Sequence, residues 1–418
     1  MRKVMIGVLA ASALSAACAA TEGTAEYPET PGAPVDEVVT GNTRFALELY
    51  QLIKGDANLF FSPYSISAAL AMTYSGARGE TAGEMAEVLH FPVAAPGEAA
   101  DEAMLRMRVA AAFGDLDEGL AADPENRGYS LHTANALWGQ RGHPFLDSYI
   151  GFVDEHFGAP LSLVDFAGDT EGARLKINAW VEERTRERIR DLIPQGTLVP
   201  ATLLVLTDAI YFKGDWGEKF DPERTREADF RGLGGTKSVQ MMSRKGDYRY
   251  FEDEEAQALE LPYRGDGLSM VVLLPKVEGP AGLEALERAL TPTRLEGWIA
   301  GLRKREVAVA IPRFEMTWGT EDITSALEAL GMERAFDPGR ADFSGMSPDP
   351  ALFIGYVLHK AFIEVNEEGT EAAAATAVGM LKAVMPTVFR ADRPFVFMIR
   401  DGSTGSILFL GRVTDLGE

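Results

Sequence analysis

Cysteine is nearly missing from this 418-residue chain: Cys18 is the only one, and none occurs from Ala19 to Glu418. That excludes a disulfide framework, a cysteine-ligated zinc and a thiol nucleophile from the body of the protein. Histidine is scarce too, with five in all (His90, His132, His143, His156 and His359), no two at metal-ligand spacing. Basic residues are outnumbered, 40 Lys and Arg against 63 Asp and Glu, for a formal net charge of −23. An acidic field repels nucleic-acid phosphates and anionic headgroups, and no Lys/Arg-rich block overrides it. No uninterrupted apolar run reaches the roughly 18 residues that span a bilayer. Catalytic signatures are absent as well, with no G-x-S-x-G elbow and no H-E-x-x-H. Gly232 to Ser238 looks like a phosphate loop but lacks the glycine before Lys237, and it reads as a turn. No metal or cofactor is implied. What remains, 46% apolar and 25% charged residues, describes a soluble globular chain.

The N-terminus reads as an address. Arg2 and Lys3 precede a short apolar stretch, and residues 1–17 have the form of a secretory signal peptide. Leu14-Ser15-Ala16-Ala17-Cys18 resembles a bacterial lipoprotein box, in which the cysteine is acylated and becomes the new N-terminus. The leucine sits one residue further from the cysteine than is usual there. Ala17-Cys18-Ala19 is also an ordinary A-x-A cleavage pattern. Lipidation at Cys18 predicts an outer-membrane or cell-surface lipoprotein; simple cleavage predicts a periplasmic or extracellular protein. Residues 18–40 are rich in Pro, Thr and Glu, with Pro28, Pro31 and Pro34 at the polyproline II period. They read as a tether reaching at most roughly 70 Å.

From residue 41 to 418 no second low-complexity linker and no fixed-period repeat interrupts the chain, which reads as one unit. Ser62-Pro63 is a helix start, a hydroxyl N-cap followed by proline at the first helical position. The helix after it, through Tyr74, is apolar on nearly all faces and is expected to be buried. Thr81 to Glu84 has the form of a capping box. A third helix is predicted over residues 173–193, with Ile177, Trp180, Val181, Ile189 and Leu192 as its apolar stripe. Residues 203–212 and 270–274 are near-continuous apolar runs, the pattern of strands covered on both faces. Shorter strand candidates are 307–311, 359–365, 395–399 and 407–410. Helices first and strands later, without regular alternation, predict an α+β fold.

Residues 365–386 stand apart. The acidic turn Asn366-Glu367-Glu368 and Gly369 end a strand, and small residues follow, from Thr370 through Ala372, Ala373, Ala374, Ala375 and Thr376. An alanine-rich helix is one reading, although about a dozen residues make a marginal isolated helix. The alternation supplies another: Thr370, Ala372, Ala374, Thr376, Val378 and Met380 are all small or apolar. That period of two suits a strand entering a crowded interior, and no proline interrupts it before Pro386.

With this segment the sequence resembles the serpin family, over about residues 42–418, through separate motifs in the family's order. They are Asn58 to Ser67, Thr133 to Trp138, Asp208 to Gly214 followed by Trp216, Glu260 to Tyr263, Ala341 to Met346, His359 to Ala361, the hinge Gly369 to Ala377, and Arg393 to Phe397. The resemblance implies three β-sheets, eight to nine helices and an exposed reactive loop. It also implies inhibition of serine proteases by a suicide mechanism. The target's serine attacks the loop's scissile carbonyl, and the cut loop inserts as a new central strand before water releases the acyl-enzyme. The partner is then a serine protease held in a covalent acyl complex by a monomeric, non-enzymatic inhibitor. A non-inhibitory member acting as a binding or folding helper is the alternative; such members often carry bulky, charged or proline-bearing hinges.

By motif, Glu367 begins the hinge, Gly369 gives backbone freedom, and Thr370 enters the sheet first, followed by Ala372 to Thr376. Counting from Gly369 at the family's spacing puts the reactive bond at Ala383-Val384, which suits an elastase-like or subtilisin-like enzyme. The register one residue earlier, Lys382-Ala383, suits a trypsin-like one, and Met380 and Leu381 are the remaining candidates. Ser62, Ser65, Asp208 and His359 match the family's shutter, a polar cluster governing strand separation, with Asp208 standing where asparagine is usual. A buried acid beside His359, ionised and hydrogen-bonded or protonated, would couple opening to pH; the alternative is a satisfied core pair without a regulatory role. Trp216 matches the place where the loop first enters, and core packing accounts for it equally.

Overall fold

The computed structural model describes residues 35–93, 101–121, 128–159, 161–265, 267–368 and 387–417. Residues 1–34, with Cys18, and residues 369–386, with Gly369, Thr370, Ala372 to Thr376, Lys382, Ala383 and Val384, lie outside them. The first half of the chain forms α1 (Val35–Ile53), β1 (Leu59–Phe61), α2 (Pro63–Gly76), α3 (Gly79–Val88), α4 (Glu102–Ala121), β2 (Tyr129–Gln140), α5 (Asp147–Phe157), β3 (Ser162–Val164), α6 (Thr170–Arg184) and β4 (Leu204–Gly214). The second half forms β5 (Arg226–Gly232), β6 (Gly235–Glu252), β7 (Ala256–Pro262), β8 (Leu268–Pro275), α7 (Pro280–Ala289), α8 (Pro292–Gly301), β9 (Arg303–Pro312), β10 (Phe314–Asp322), α9 (Thr324–Leu330), β11 (Tyr356–Val365), β12 (Thr387–Arg390), β13 (Phe395–Asp401) and β14 (Ile407–Val413).

The strands form a five-stranded sheet, in the order β10-β11-β4-β2-β3, and a nine-stranded one, in the order β1-β14-β13-β8-β7-β6-β9-β12 with β5 on β6. Among the described residues there are thus two sheets where three were expected, because β6 joins strands on both sides of it into one. That 18-residue strand pairs β5 near its start, β9 along its middle and β7 at its end. Gly232 to Ser238 is the tip of the β5–β6 hairpin: Gly232 ends β5, Leu233 and Gly234 make the turn, and Gly235 to Ser238 are paired residues of β6.

Helix α2 lies between β4 of one sheet and β14 of the other. Ser62 caps it, its hydroxyl accepting the Ser65 amide, and all 14 of its residues are buried. Phe60 stacks on Phe409 at 5.0 Å, and Phe409 meets Phe212 of β4 at 5.5 Å, so aromatic packing links the two sheets. A second core lies on the other face of the five-stranded sheet, beneath α6 and the connector that follows it.

Three sequence expectations need correction. Helix α1 begins at Val35, inside the stretch read as a tether to residue 40: Asp36 and Glu37 suit the first turn, and Val38 and Val39 are already buried. Thr81 and Glu84 do not close a capping box, because α3 starts at Gly79. Instead Thr81 accepts the Asp342 amide, and Glu84 accepts the amides of Glu333 and Arg334. Helix α6 stops at Arg184 rather than residue 193. Arg186 and Glu187 take left-handed angles, φ 51° and 60°, and the Thr185 hydroxyl accepts the Ile189 amide, so the chain turns. Ile189 and Leu192 are buried as expected, but from this connector.

Candidate functional site

The five-stranded sheet has a parallel seam at its centre. β11 and β4 pair in parallel from Tyr356↔Val205 to Ile363↔Phe212, and both run toward the point where the chain leaves β11 at Asn366. Each strand is antiparallel to its other neighbour, β11 to β10 and β4 to β2.

Under the seam lies a polar row. Asn135, Asp208 and His359 are register neighbours across β2, β4 and β11, and the start of α2 faces them with Ser62 and Ser65. The Ser65 hydroxyl lies 2.7 Å from Asp208 Oδ1 and 3.0 Å from Asn135 Oδ1, sharing one proton between two acceptors. The Ser62 amide donates to His359 Nε2 at 3.1 Å, and the Ser62 hydroxyl donates to the Leu408 carbonyl of β14 at 2.6 Å. Because Nε2 accepts, this network places the ring proton on Nδ1, 3.4 Å from Asp208 Oδ1. The structure thus brings all four shutter candidates together, and any strand placed between β4 and β11 must part Asp208 from His359. Gly319 of β10 fits the same spot: its φ is +105°, and a Cβ there would lie 2.2 Å from the His359 carbonyl oxygen.

Serine, histidine and aspartate in contact invite a hydrolase reading, and the geometry rejects it. A nucleophilic serine needs its hydroxyl on the imidazole, whereas His359 Nε2 takes a backbone amide and the Ser62 hydroxyl points to a carbonyl. Ser62, Ser65, Asp208 and His359 are all fully buried, so no substrate reaches them.

The loop's base is held by three anchors. Trp216, just past β4, donates its indole N–H to the Asn366 carbonyl at 2.9 Å and stacks on Tyr263 at 4.7 Å and 8°. Burial raises the Tyr263 phenol far above its ordinary pKa, which fits a ring used for packing. Glu367 is buried, accepts the Thr225 hydroxyl at 2.8 Å and lies 3.5 Å from the Arg313 guanidinium. Asn366 spans the turn, donating to Glu364 and accepting the Glu368 amide. Trp216 is therefore both packed and in contact with the first residue after β11. Beyond position 368, hinge and reactive bond fall outside the described residues.

Sequence reading missed Asn135, Thr225, Arg313 and Tyr263 as site residues. Asn135 and Tyr263 sit inside recognisable motifs, whereas Thr225 and Arg313 carry no local signal, since only the fold brings them to Glu367. Among the described residues no cluster of His, Cys, Asp or Glu could hold a metal ion.

The described residues thus show a five-stranded sheet with a parallel central seam, whose strand β11 ends beside that seam at Asn366. The family model Serpin (serine protease inhibitor) matches residues 40–416. The human leukocyte elastase inhibitor is 41% identical over 392 residues, covering 90% of this chain and 99% of that protein. An uncharacterized serpin-like protein of Thermococcus kodakarensis is 42% identical over 384 residues, covering 90% of this chain and 85% of that one. Among solved structures, uncleaved ovalbumin matches with a TM-score of 0.81 at 30% identity, covering 91% of this chain and all of that one. The chain belongs to the serpin family.

Proposed function

We propose that this chain inhibits serine proteases by suicide trapping, with an elastase-like or subtilisin-like enzyme as its target. The protease's serine attacks the carbonyl of Ala383 and expels the Val384 amine. The freed segment from Gly369 onward then enters the β4–β11 seam while the acyl ester is intact. The observation that carries the reading is the parallel pairing of β4 and β11. A segment that turns back after β11 runs antiparallel to it, and between two parallel strands it is antiparallel to both. One parallel ladder is then replaced by two antiparallel ones, which pair slightly better per residue. About ten newly paired residues at roughly 0.5–1.5 kcal/mol each stabilise the product by on the order of 10 kcal/mol. The intact protein is then kinetically trapped, held out of the lower state until the loop is cut. The leukocyte elastase inhibitors among the relatives, and alanine at the position before the reactive bond, support the choice of target.

Export through residues 1–17, attachment to a membrane through a lipid on Cys18, and a monomeric state belong to the same proposal. The experiment is incubation with elastase-, subtilisin- and trypsin-type proteases, followed by denaturing gels and mass spectrometry. We expect an SDS-resistant adduct and a released peptide that begins at Val384; one that begins at Ala383 moves the reactive bond to Lys382-Ala383. Thr370→Arg places a charge on the first residue to insert and is expected to be cut without forming adduct. Full trapping by that variant would overturn the insertion step. Clean cleavage of the unaltered chain without adduct would favour the non-inhibitory reading.

A further inference from the structure

The seam is also crossed on its outer face. Tyr211 of β4 and Phe362 of β11 are register partners, with ring centroids 5.5 Å apart, and both rings are buried. His132 of β2 stacks on Tyr211 at 5.8 Å and 11°, extending the row across three strands. Above it runs the connector between α6 and β4. Arg188 of that connector holds its guanidinium carbon 5.8 Å from the Tyr211 centroid and 5.5 Å from the Phe362 centroid, close to both rings at once. Two residues further on, the Arg190 carbonyl accepts the Lys360 ammonium of β11 at 2.7 Å. The connector's far end is fixed to α6, because the Ile193 carbonyl accepts from Arg174 and Asn178 and the Ile193 amide donates to Asn178. Arg186, Glu187 and Asp191 all take positive φ, a strained path that persists where surrounding contacts over-determine it.

We infer that Arg188 is a clasp across the β4–β11 seam, a positioning residue that sets how fast the sheet admits a new strand. The inference rests on the insertion reading above. Its physical content is a distance: neighbouring strands lie about 4.8 Å apart, so an inserted strand moves Tyr211 and Phe362 apart by that much again. The inserted strand fills the gap between the separated rings, so a guanidinium kept above the sheet stays within the roughly 6 Å that a cation–ring contact needs of at most one of them. The clasp sits one residue inside the last pair of the seam, Ile363↔Phe212, about 3.3 Å from where the seam first parts. It is therefore met early in insertion and gates the step that competes with hydrolysis of the ester. Its strength is modest, because Arg188 is solvent-exposed. It sets a rate rather than a stable state.

Two measurements on the full chain test this. In the uncut protein, hydrogen exchange of the β4 and β11 amides reports opening of the seam whatever the loop does later. Arg188→Ala is expected to speed exchange there about five- to tenfold, tenfold being about 1.4 kcal/mol, with β13 and β14 unchanged. Arg188→Lys, which keeps a cation, should fall between. Equal exchange in wild type and Arg188→Ala overturns the clasp, and so does a uniform increase over both sheets, which marks general loosening. After loop cleavage, Arg188→Ala should insert faster by a similar factor and divert less inhibitor to turnover. If the cut wild-type loop never inserts while the exchange difference persists, the suicide mechanism falls and the clasp on the seam stands.

Discussion

The β13–β14 hairpin and the β4–β11 seam are both buried pairs flanking α2, yet they complete their polar contacts to different degrees. At the hairpin, Arg412 of β14 lies 2.8 Å from Glu287 of α7, and the same carboxylate accepts from the Tyr50 hydroxyl at 2.7 Å and from Lys54 at 3.1 Å. Phe60, Phe397 and Phe409 stack alongside. At the seam, Asp208 Oδ2 is buried without a hydrogen bond, and His359 Nδ1 lies 3.4 Å from Asp208 Oδ1, too far for a strong one. An unsatisfied buried polar group costs about 1–3 kcal/mol. The hairpin is antiparallel and local in sequence, whereas the seam joins distant segments in parallel, the slightly weaker ladder. The Ser406 hydroxyl in the hairpin's connection is buried without a partner too, but the hairpin's charged groups are paired at hydrogen-bond distance, whereas those of the seam are not.

The largest expected effect lies on the hairpin side. Glu287→Ala leaves the buried Arg412 guanidinium without its carboxylate and is expected to cost about 3–5 kcal/mol, read by urea unfolding. The loss should be equal in intact and loop-cleaved protein, because Glu287 is remote from the seam; a loss confined to the intact form would break the comparison. The same carboxyl supplies a pH signature. Burial alone would raise its pKa, but hydrogen bonds from Arg412, Tyr50 and Lys54 outweigh that and hold it below the ordinary 4.5. A lowered folded pKa means that the contribution is complete above the unfolded value and is lost as pH falls through the folded one. Glu287→Gln should therefore flatten the acid limb of stability, which titrated urea midpoints will show.

A smaller effect is expected at the seam itself. Ser65→Ala removes a hydroxyl shared by Asp208 and Asn135 and should cost about 1–3 kcal/mol, the range for leaving a buried acceptor unsatisfied. Local exchange should rise across β4 and β11 and stay flat across β13 and β14. An equal rise in both sheets would mean that Ser65 merely supports α2.

Legibility in the sequence follows the range of the interactions. The Ser62 cap and the buried α2 were readable because a helix start and an all-round apolar face are local signals. So were β4 and β8, whose apolar runs match strands covered on both faces. The α6 boundary was missed because Ile189 and Leu192 keep helical spacing, while the turn at Thr185 to Glu187 depends on docking against the sheet. β2 went unassigned because exposed and half-buried residues dilute its pattern. Ser62, Ser65, Asp208 and His359 were legible through family motifs. That Asp208 lies between Asn135 and His359 is a fact of strand register, which no spacing along the chain encodes. Thr225 and Arg313 are further still from legibility, for they meet Glu367 only in three dimensions.

That last group yields the smallest effect and a clean way to sharpen the contrast. Glu367 is buried, but its partner Arg313 is about half exposed and 3.5 Å away, whereas Thr225 reaches it at 2.8 Å. A pair with one solvated member contributes at most about 1 kcal/mol, so the Thr225 hydroxyl carries more of the anchoring. Arg313→Ala should then loosen the loop base less than fivefold, seen in exchange of the Glu368 amide, and Thr225→Val should exceed it. Salt separates the two contributions, since at 1 M the screening length falls to about 3 Å. Wild type and Arg313→Ala should converge there, while Thr225→Val stays apart. Convergence of all three would make the anchor at Glu367 purely electrostatic, leaving the loop base as incompletely hydrogen-bonded as the seam beside it.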